Sequence, residues 1–111
     1  AATHAPKLTR DEERLDWRQD APAVARKVRA FDPAPGAWAE CRGRSLKLFG
    51  GRAAEGDDGP PGTVLEAGDG LRIACAHGAL EVTDVQPAGK ARMTARAFVN
   101  GRGIAAGDVL A

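Results

Sequence analysis

The chain has 111 residues, 43% of them hydrophobic and 28% charged, with a formal net charge of +1. That length supports one domain burying about two-thirds of its unfolded surface without staples, and no apolar run approaches the ~18 residues of a membrane span. Two cysteines, Cys41 and Cys75, lack C-x-x-C spacing and read as buried reduced thiols rather than a disulfide or metal pair.

The small net charge conceals segregation. Residues 1–50 hold ten Lys and Arg against seven Asp and Glu, residues 51–80 two against five, and residues 81–111 four against three. Such a pattern fits either a mixed solvated surface or a cationic face set apart from an acidic one.

Residues 1–9 show no hydrophobic period and contain Pro6, which predicts an extended linker. Thr9 followed by Asp11, Glu12 and Glu13 predicts one exposed helical turn, with Trp17 anchoring it to the core. Residues 1–15 thus read as linker and short turn, and residues 16–111 as the folded domain. Val24, Val28 and Phe31 recur at i, i+4, i+7, the apolar stripe of a helix that leaves Arg26, Lys27 and Arg29 on its other faces. Asp20 is placed to cap it and Pro22 lies in its first turn. Pro33 and Pro35 forbid its continuation, and Gly36 turns the chain.

Residues 37–41 and 45–50 read as two strands joined by the tight Arg42-Gly43-Arg44 turn, with Leu46 and Leu48 opposite in phase to Lys47 and Phe49. Residues 50–61 are Gly-, Pro- and acid-rich and predict a long loop that buries nothing. A strand restarts at residues 62–66 and turns at Gly68-Asp69-Gly70. Leu71, Ile73 and Cys75 alternate with Arg72, Ala74 and Ala76, and His77-Gly78 suits a two-residue hairpin into a strand over residues 80–85. Residues 94–100 predict a short capped helix ended by Gly101, and residues 107–110 close the chain. Five or six short strands with one helix leading in and one leading out fit a small β-barrel, a β-sandwich or an SH3-like barrel.

No motif for catalysis emerges. His4 and His77 have no nucleophile at motif spacing, no Cys or His pair has metal-ligand spacing, and the glycine turns lack the strand–glycine–helix setting of a phosphate loop. What remains is the cations Lys7, Arg10, Arg26, Arg29, Lys47, Lys90, Arg92 and Arg102. A phosphate backbone is held by Lys and Arg converging on one face rather than by a motif. Each is equally a solvated charge, and Arg29 has a second structural role open to it, bracing the Pro33–Gly36 turn through its carbonyls. Trp17 and Trp38 read as core, and two Trp and three Phe supply no row of aromatics for reading bases.

Two blocks carry a family resemblance. Leu15-Asp16-Trp17, Ala21-Pro22-Ala23 and Arg29-Ala30-Phe31-Asp32-Pro33-Ala34-Pro35-Gly36-Ala37 form the first. Gln86-Pro87-Ala88-Gly89-Lys90-Ala91-Arg92-Met93-Thr94, with Phe98 and Gly101, form the second. In this order, over nearly the whole chain, they resemble the C-terminal domain of methionyl-tRNA formyltransferase. Asp32 and Ala34 depart from the Asn and Trp common in that family.

The resemblance implies a mainly β fold, an OB-like barrel with a leading helix and a short C-terminal helix. It implies that an N-terminal formyl-transfer domain precedes this piece, an expectation shared by a first residue that is Ala rather than Met. In the family that domain carries the catalytic Asn, His and Asp and takes 10-formyltetrahydrofolate. No catalytic residue, metal or cofactor is then expected here, and the chain alone is expected to have no transferase activity. The partners implied are initiator tRNA and the protein's own catalytic domain, in a monomer away from membranes. On this analogy Lys7, Arg29, Lys90, Arg92 and Arg102 are the favoured RNA-binding residues. About five phosphate contacts imply a log K that falls against log salt with a slope of roughly −3.5 to −4.5.

Two other readings stand beside it. Related barrels in formyltransferases acting on sugar nucleotides, or in folate-hydrolase-type enzymes, serve packing or assembly without RNA. A free-standing single-strand-binding OB protein would need more aromatics. The Ala, Gly and Arg bias fits a GC-rich bacterial genome and the cytoplasm, and an organelle enzyme fits it equally.

Overall fold

The computed structural model describes residues 12–56 and 59–111. Helix α1 spans Ala21–Ala30 and is followed by eight short strands: β1 Ala37–Cys41, β2 Arg44–Phe49, β3 Arg52–Ala54, β4 Val64–Ala67, β5 Leu71–Ala74, β6 Ala79–Val82, β7 Asp84–Pro87 and β8 Met93–Thr94. Helix α2, Ala95–Asn100, comes after them. The strands form two antiparallel four-stranded sheets, β1-β2-β7-β8 and β3-β6-β5-β4. The mainly β class with a leading and a closing helix is therefore as expected. The strand count exceeds five or six because β3 and β8 are so short.

Helix α1 forms where its stripe requires, burying Ala21, Val24, Ala25 and Val28. Each valine contributes about 1.5–3 kcal/mol by leaving water. Asp20 is its N-cap residue as expected, though the Asp20 side chain makes no capping bond. The carboxylate instead meets Nδ1 of His77 at 3.0 Å, while the His77 carbonyl accepts from the Ala21 N–H. The helix end is closed by Gly36, whose N–H donates to the Phe31 carbonyl at 2.9 Å.

The β1–β2 hairpin turns on Arg42 and Gly43, both at positive φ (53° and 79°), the geometry a two-residue primed turn demands. The β5–β6 hairpin is looser than expected. Ala74 pairs with Ala79, so residues 75–78 all belong to the loop, and of these Gly78 alone takes a positive φ.

Residues 50–61 depart most from expectation. Gly51 is buried and β3 pairs with β6, Arg52 opposite Glu81. The absence of side chain at Gly51 lets α1 approach: a Cβ there would stand 2.7 Å from a Val28 methyl. The stretch read as one strand over residues 80–85 is broken at Thr83, where the chain leaves one sheet for the other. The other crossing, from β2 into β3, lies against it. The Thr83 N–H donates to Phe49, and a Cβ on Gly50 would collide with Thr83 Oγ1.

The C-terminal residues tie an edge strand of each sheet. Ala111 and Glu40 exchange both backbone bonds at 2.9 Å, and Val64 donates to Asp108 at 2.8 Å. Short helix α2 has the expected cap, Thr94 Oγ1 accepting from the Ala97 N–H, and ends at Gly101. Both cysteines are free and buried. The expected linker and the Thr9 cap lie outside the described residues. Glu12 and Glu13 are helical, but Glu13 is buried rather than exposed.

Candidate nucleic-acid interface

Strand alternation distributes the first sheet's side chains between two faces. Ala39, Leu46, Leu48 and Val85 enter the core. On the opposite face the register aligns Trp38 with Lys47 and Lys47 with Gln86, and aligns Phe49 with Asp84. Each end of this outer face carries a guanidinium stacked on an aromatic ring. Arg14 arrives through a parallel bridge to Trp38 and lies 5.0 Å from that ring's centroid. Arg92, just before β8, lies 4.3 Å from the centroid of Phe49. Trp17 sits in the core as expected, whereas Trp38, though also buried, lies under Arg14 on the outer face.

Neighbouring groups fix both stacks. Lys27 Nζ donates to the Arg14 carbonyl at 2.7 Å, and Arg14 pairs with Glu40 at 3.6 Å. Arg92 bridges two carboxylates, Asp32 at 3.4 Å and Asp84 at 3.3 Å. Asp32 in turn accepts the Gly50 N–H at 3.0 Å. Lys47, between the stacks, has no ion pair with a described residue.

The favoured cations divide by position. Lys7 lies outside the described residues. Arg29 is exposed and donates from Nη1 to the Gly51 carbonyl at 3.4 Å. It braces the β2–β3 link, not the Pro33–Gly36 turn, and stands one residue from the Asp32–Gly50 contact of Arg92. Lys90 is exposed in the β7–β8 turn, where its carbonyl accepts from Gln86 Nε2 at 3.0 Å and Gly89 supplies a φ of 75°. That bond ties the turn to the row containing Lys47. Arg102 lies elsewhere, at a positive φ of 61° just past α2, its carbonyl held by Arg42 Nη1 at 2.8 Å. Arg42 itself pairs with Asp108.

Arg14 escaped the sequence reading, which placed it in an exposed charged turn. The signal was there: Leu15 and Trp17 alternate with Arg14, Asp16 and Arg18, a pattern that marks extended chain at a sheet edge.

These ion pairs are partly exposed, a setting in which pairing contributes only about 0–1 kcal/mol. A phosphate oxygen can therefore replace Asp32 or Asp84 at Arg92 for little cost. Catalytic geometry is another matter. Among the described residues the His77 ring pairs with the exposed Asp20 carboxylate, and burial raises both thiols, Cys75 to about 11. No group of three His, Cys, Asp or Glu is arranged to hold a metal among the described residues. No helix among them is long and apolar enough to cross a membrane.

Comparison with known proteins matches residues 7–103 to a family model described as formyl transferase, C-terminal domain. A methionyl-tRNA formyltransferase of Thiobacillus denitrificans is 50% identical over 98% of this chain and 36% of that protein. One from Neisseria meningitidis is 45% identical over 97% of this chain and 35% of that protein. The chain thus spans about a third of the length of these curated relatives. Among solved structures, a HypX variant from Aquifex aeolicus superposes with a TM-score of 0.72 at 29% identity, covering 89% of this chain and 18% of HypX. HypX in complex with tetrahydrofolic acid gives 0.71 at 31% identity, covering 84% of this chain and 17% of HypX.

Proposed function

Because the chain belongs to the formyl transferase C-terminal domain family, we propose that it is the tRNA-holding part of a methionyl-tRNA formyltransferase. In this reading it grips initiator tRNA while a catalytic domain outside these residues formylates the methionyl amine from 10-formyltetrahydrofolate in the cytoplasm. The observation that carries it is the outer face of the first sheet, where Arg14, Lys47 and Arg92 converge from separate parts of the chain and Gln86 binds the Lys90 turn to them. Rigid Arg–aromatic stacks fix two guanidinium groups on the face, and Lys47 and Lys90 add mobile point charges. Such a face suits phosphates of a folded RNA rather than base edges. The favoured set becomes Arg14, Lys47, Lys90 and Arg92, flanked by Arg29, with Arg102 at a distance from it.

Four contacts imply a log K slope of roughly −2.8 to −3.6 against log salt. The test is titration of the 111-residue chain with uncharged initiator tRNA at two salt concentrations. Expected are salt-dependent binding and a loss of about one unit of slope in each of Lys47→Ala and Lys90→Ala. A flat salt response, or no binding at low salt, overturns the reading and favours a barrel that only packs on its catalytic domain. The neutralisation of Arg92 by two aspartates is the observation on that side.

A further inference from the structure

A second cationic feature adjoins the outer face at the Lys90 turn. A cleft of about 370 Å³ opens between the tip of the β1–β2 hairpin, the β7–β8 turn and helix α2. Its floor is apolar: Leu46 and Pro87, paired across β2 and β7, with the half-buried Phe98 of α2. Its rim is cationic, formed by Arg42, Arg44 and Lys90. Arg42 is spent on Asp108 and the Arg102 carbonyl. Arg44 and Lys90 have no ion pair with a described residue.

The Phe98 ring is set in place by a glycine. A Cβ on Gly103 would come within 2.1–2.6 Å of the ring atoms, so only a bare backbone leaves room for it there. The rim is equally built. Ala88 donates to the Ser45 carbonyl at 3.1 Å and Lys90 to the Pro87 carbonyl at 3.0 Å, fixing the turn across the cleft from Arg44.

The volume falls at the small end of ligand sites and admits no duplex. Apolar floor, aromatic ring and two cations unpaired among the described residues together match one flat aromatic group carrying a phosphate. Resting on the tRNA-holding reading, we infer that this cleft takes one unstacked nucleotide of the bound RNA, its base against the half-buried Phe98 and Pro87 and its phosphate between Arg44 and Lys90. Bases in a helix are already stacked and out of reach, whereas loops, bulges and ends offer them to aromatic side chains. Lys90 stands where the cleft meets the outer face, so one RNA can occupy both. The cleft then adds what the outer face lacks, a preference for RNA with an unpaired nucleotide at the right place.

The experiment compares two probes on the 111-residue chain, a single-stranded hexaribonucleotide and a blunt RNA duplex, followed by amide shifts in solution NMR. The hexamer is expected to shift the amides of Ser45, Ala88 and Gly103, and the duplex only those around Lys47, Lys90 and Arg92. Stacking one base on an aromatic ring corresponds to about 5- to 150-fold in affinity. Phe98→Leu is therefore expected to lower the hexamer-to-duplex affinity ratio about tenfold. Arg44→Gln, at an exposed strand end, is expected to lower the hexamer affinity and repeats the test should Phe98→Leu fail to fold. Cleft amides that stay still with the hexamer, or a ratio unchanged in the folded variants, overturn the nucleotide site. In that case duplex shifts at Lys47 and Arg92 leave the tRNA-holding reading standing, and their absence removes both.

Discussion

Asp32→Asn isolates what the outer face does with its charge. Asp32 has two contacts: one oxygen accepts the Gly50 N–H at 3.0 Å, and the other meets Arg92 Nη1 at 3.4 Å. An asparagine keeps the first through its amide oxygen. Its NH₂ then faces the guanidinium, donor against donor, and Arg92 loses that partner while keeping Asp84 and the Phe49 ring. The Arg92 and Asp32 side chains are 41% and 24% exposed, so the lost pair costs about 0.2–1 kcal/mol, and a urea midpoint is expected to move little. On the binding side the face gains one net positive charge. A released Arg92 that takes a phosphate adds about 1 kcal/mol, or about fivefold in affinity at low salt, and steepens the salt slope by roughly 0.7–0.9. Initiator tRNA titrated against both proteins at 50 and 200 mM salt reads the two quantities. Unchanged affinity and slope would refute the claim that Arg92 faces the RNA. A fall in affinity without loss of stability would make Asp32 the group that orients Arg92 for binding.

Two further outcomes follow from packing and burial. Gly51→Ala puts a methyl 2.7–2.9 Å from Val28 atoms; backbone or helix must shift, and thermal unfolding is expected to show about 1–3 kcal/mol of destabilisation, against none if α1 yields freely. The Cys75 thiol, 1% exposed, is pushed up to about 11 by burial, above the ordinary 9.0. Its folded form holds the proton more tightly, so this stabilisation is whole below pH 9 and is lost as pH rises from 9 towards 11. The stability gap between the natural chain and Cys75→Ala, read by urea unfolding, is expected to narrow by on the order of 2 kcal/mol over that window. A constant gap would show that the folded thiol titrates together with the unfolded one, so that burial has not raised it.

Local signals account for the elements that were legible. Helix α1 announces itself by the Val24–Val28 spacing and the prolines after it, and the β1–β2 hairpin by alternation around Arg42-Gly43. Helix α2 does so by Thr94 and Gly101. The missed features depend on distant partners. Strand β3 is three residues long in a Gly-rich acidic run, and it is a strand only because Glu81, Leu80 and Ala79 offer it an edge. The break at Thr83 left a trace in the sequence: Leu80 and Val82 share one phase and Val85 has the other, so an unbroken strand would have turned Val85 to solvent.

The same distinction decides how much of the interface could be read in advance. Composition exposed the segregation of charge, since summing over segments needs no fold. It could not reveal that Arg14 and Arg92, far apart in the chain, come to lie on Trp38 and Phe49 of one sheet face. That juxtaposition depends on the bridge from Arg14 to Trp38 and on β2 pairing with β7 rather than with β3. Nor could it tell which cations are already partnered. Arg92 was favoured from the resemblance, yet two aspartates hold it. Lys47, a plain alternating strand lysine, stands unpaired among described residues between the stacks. A favoured list drawn from sequence ranks residues by identity; the face ranks them by the charge left after their neighbours have taken a share. By that measure Lys47 and Lys90, with no ion pair among the described residues, keep their whole charge, and Arg92 shares its own with two carboxylates.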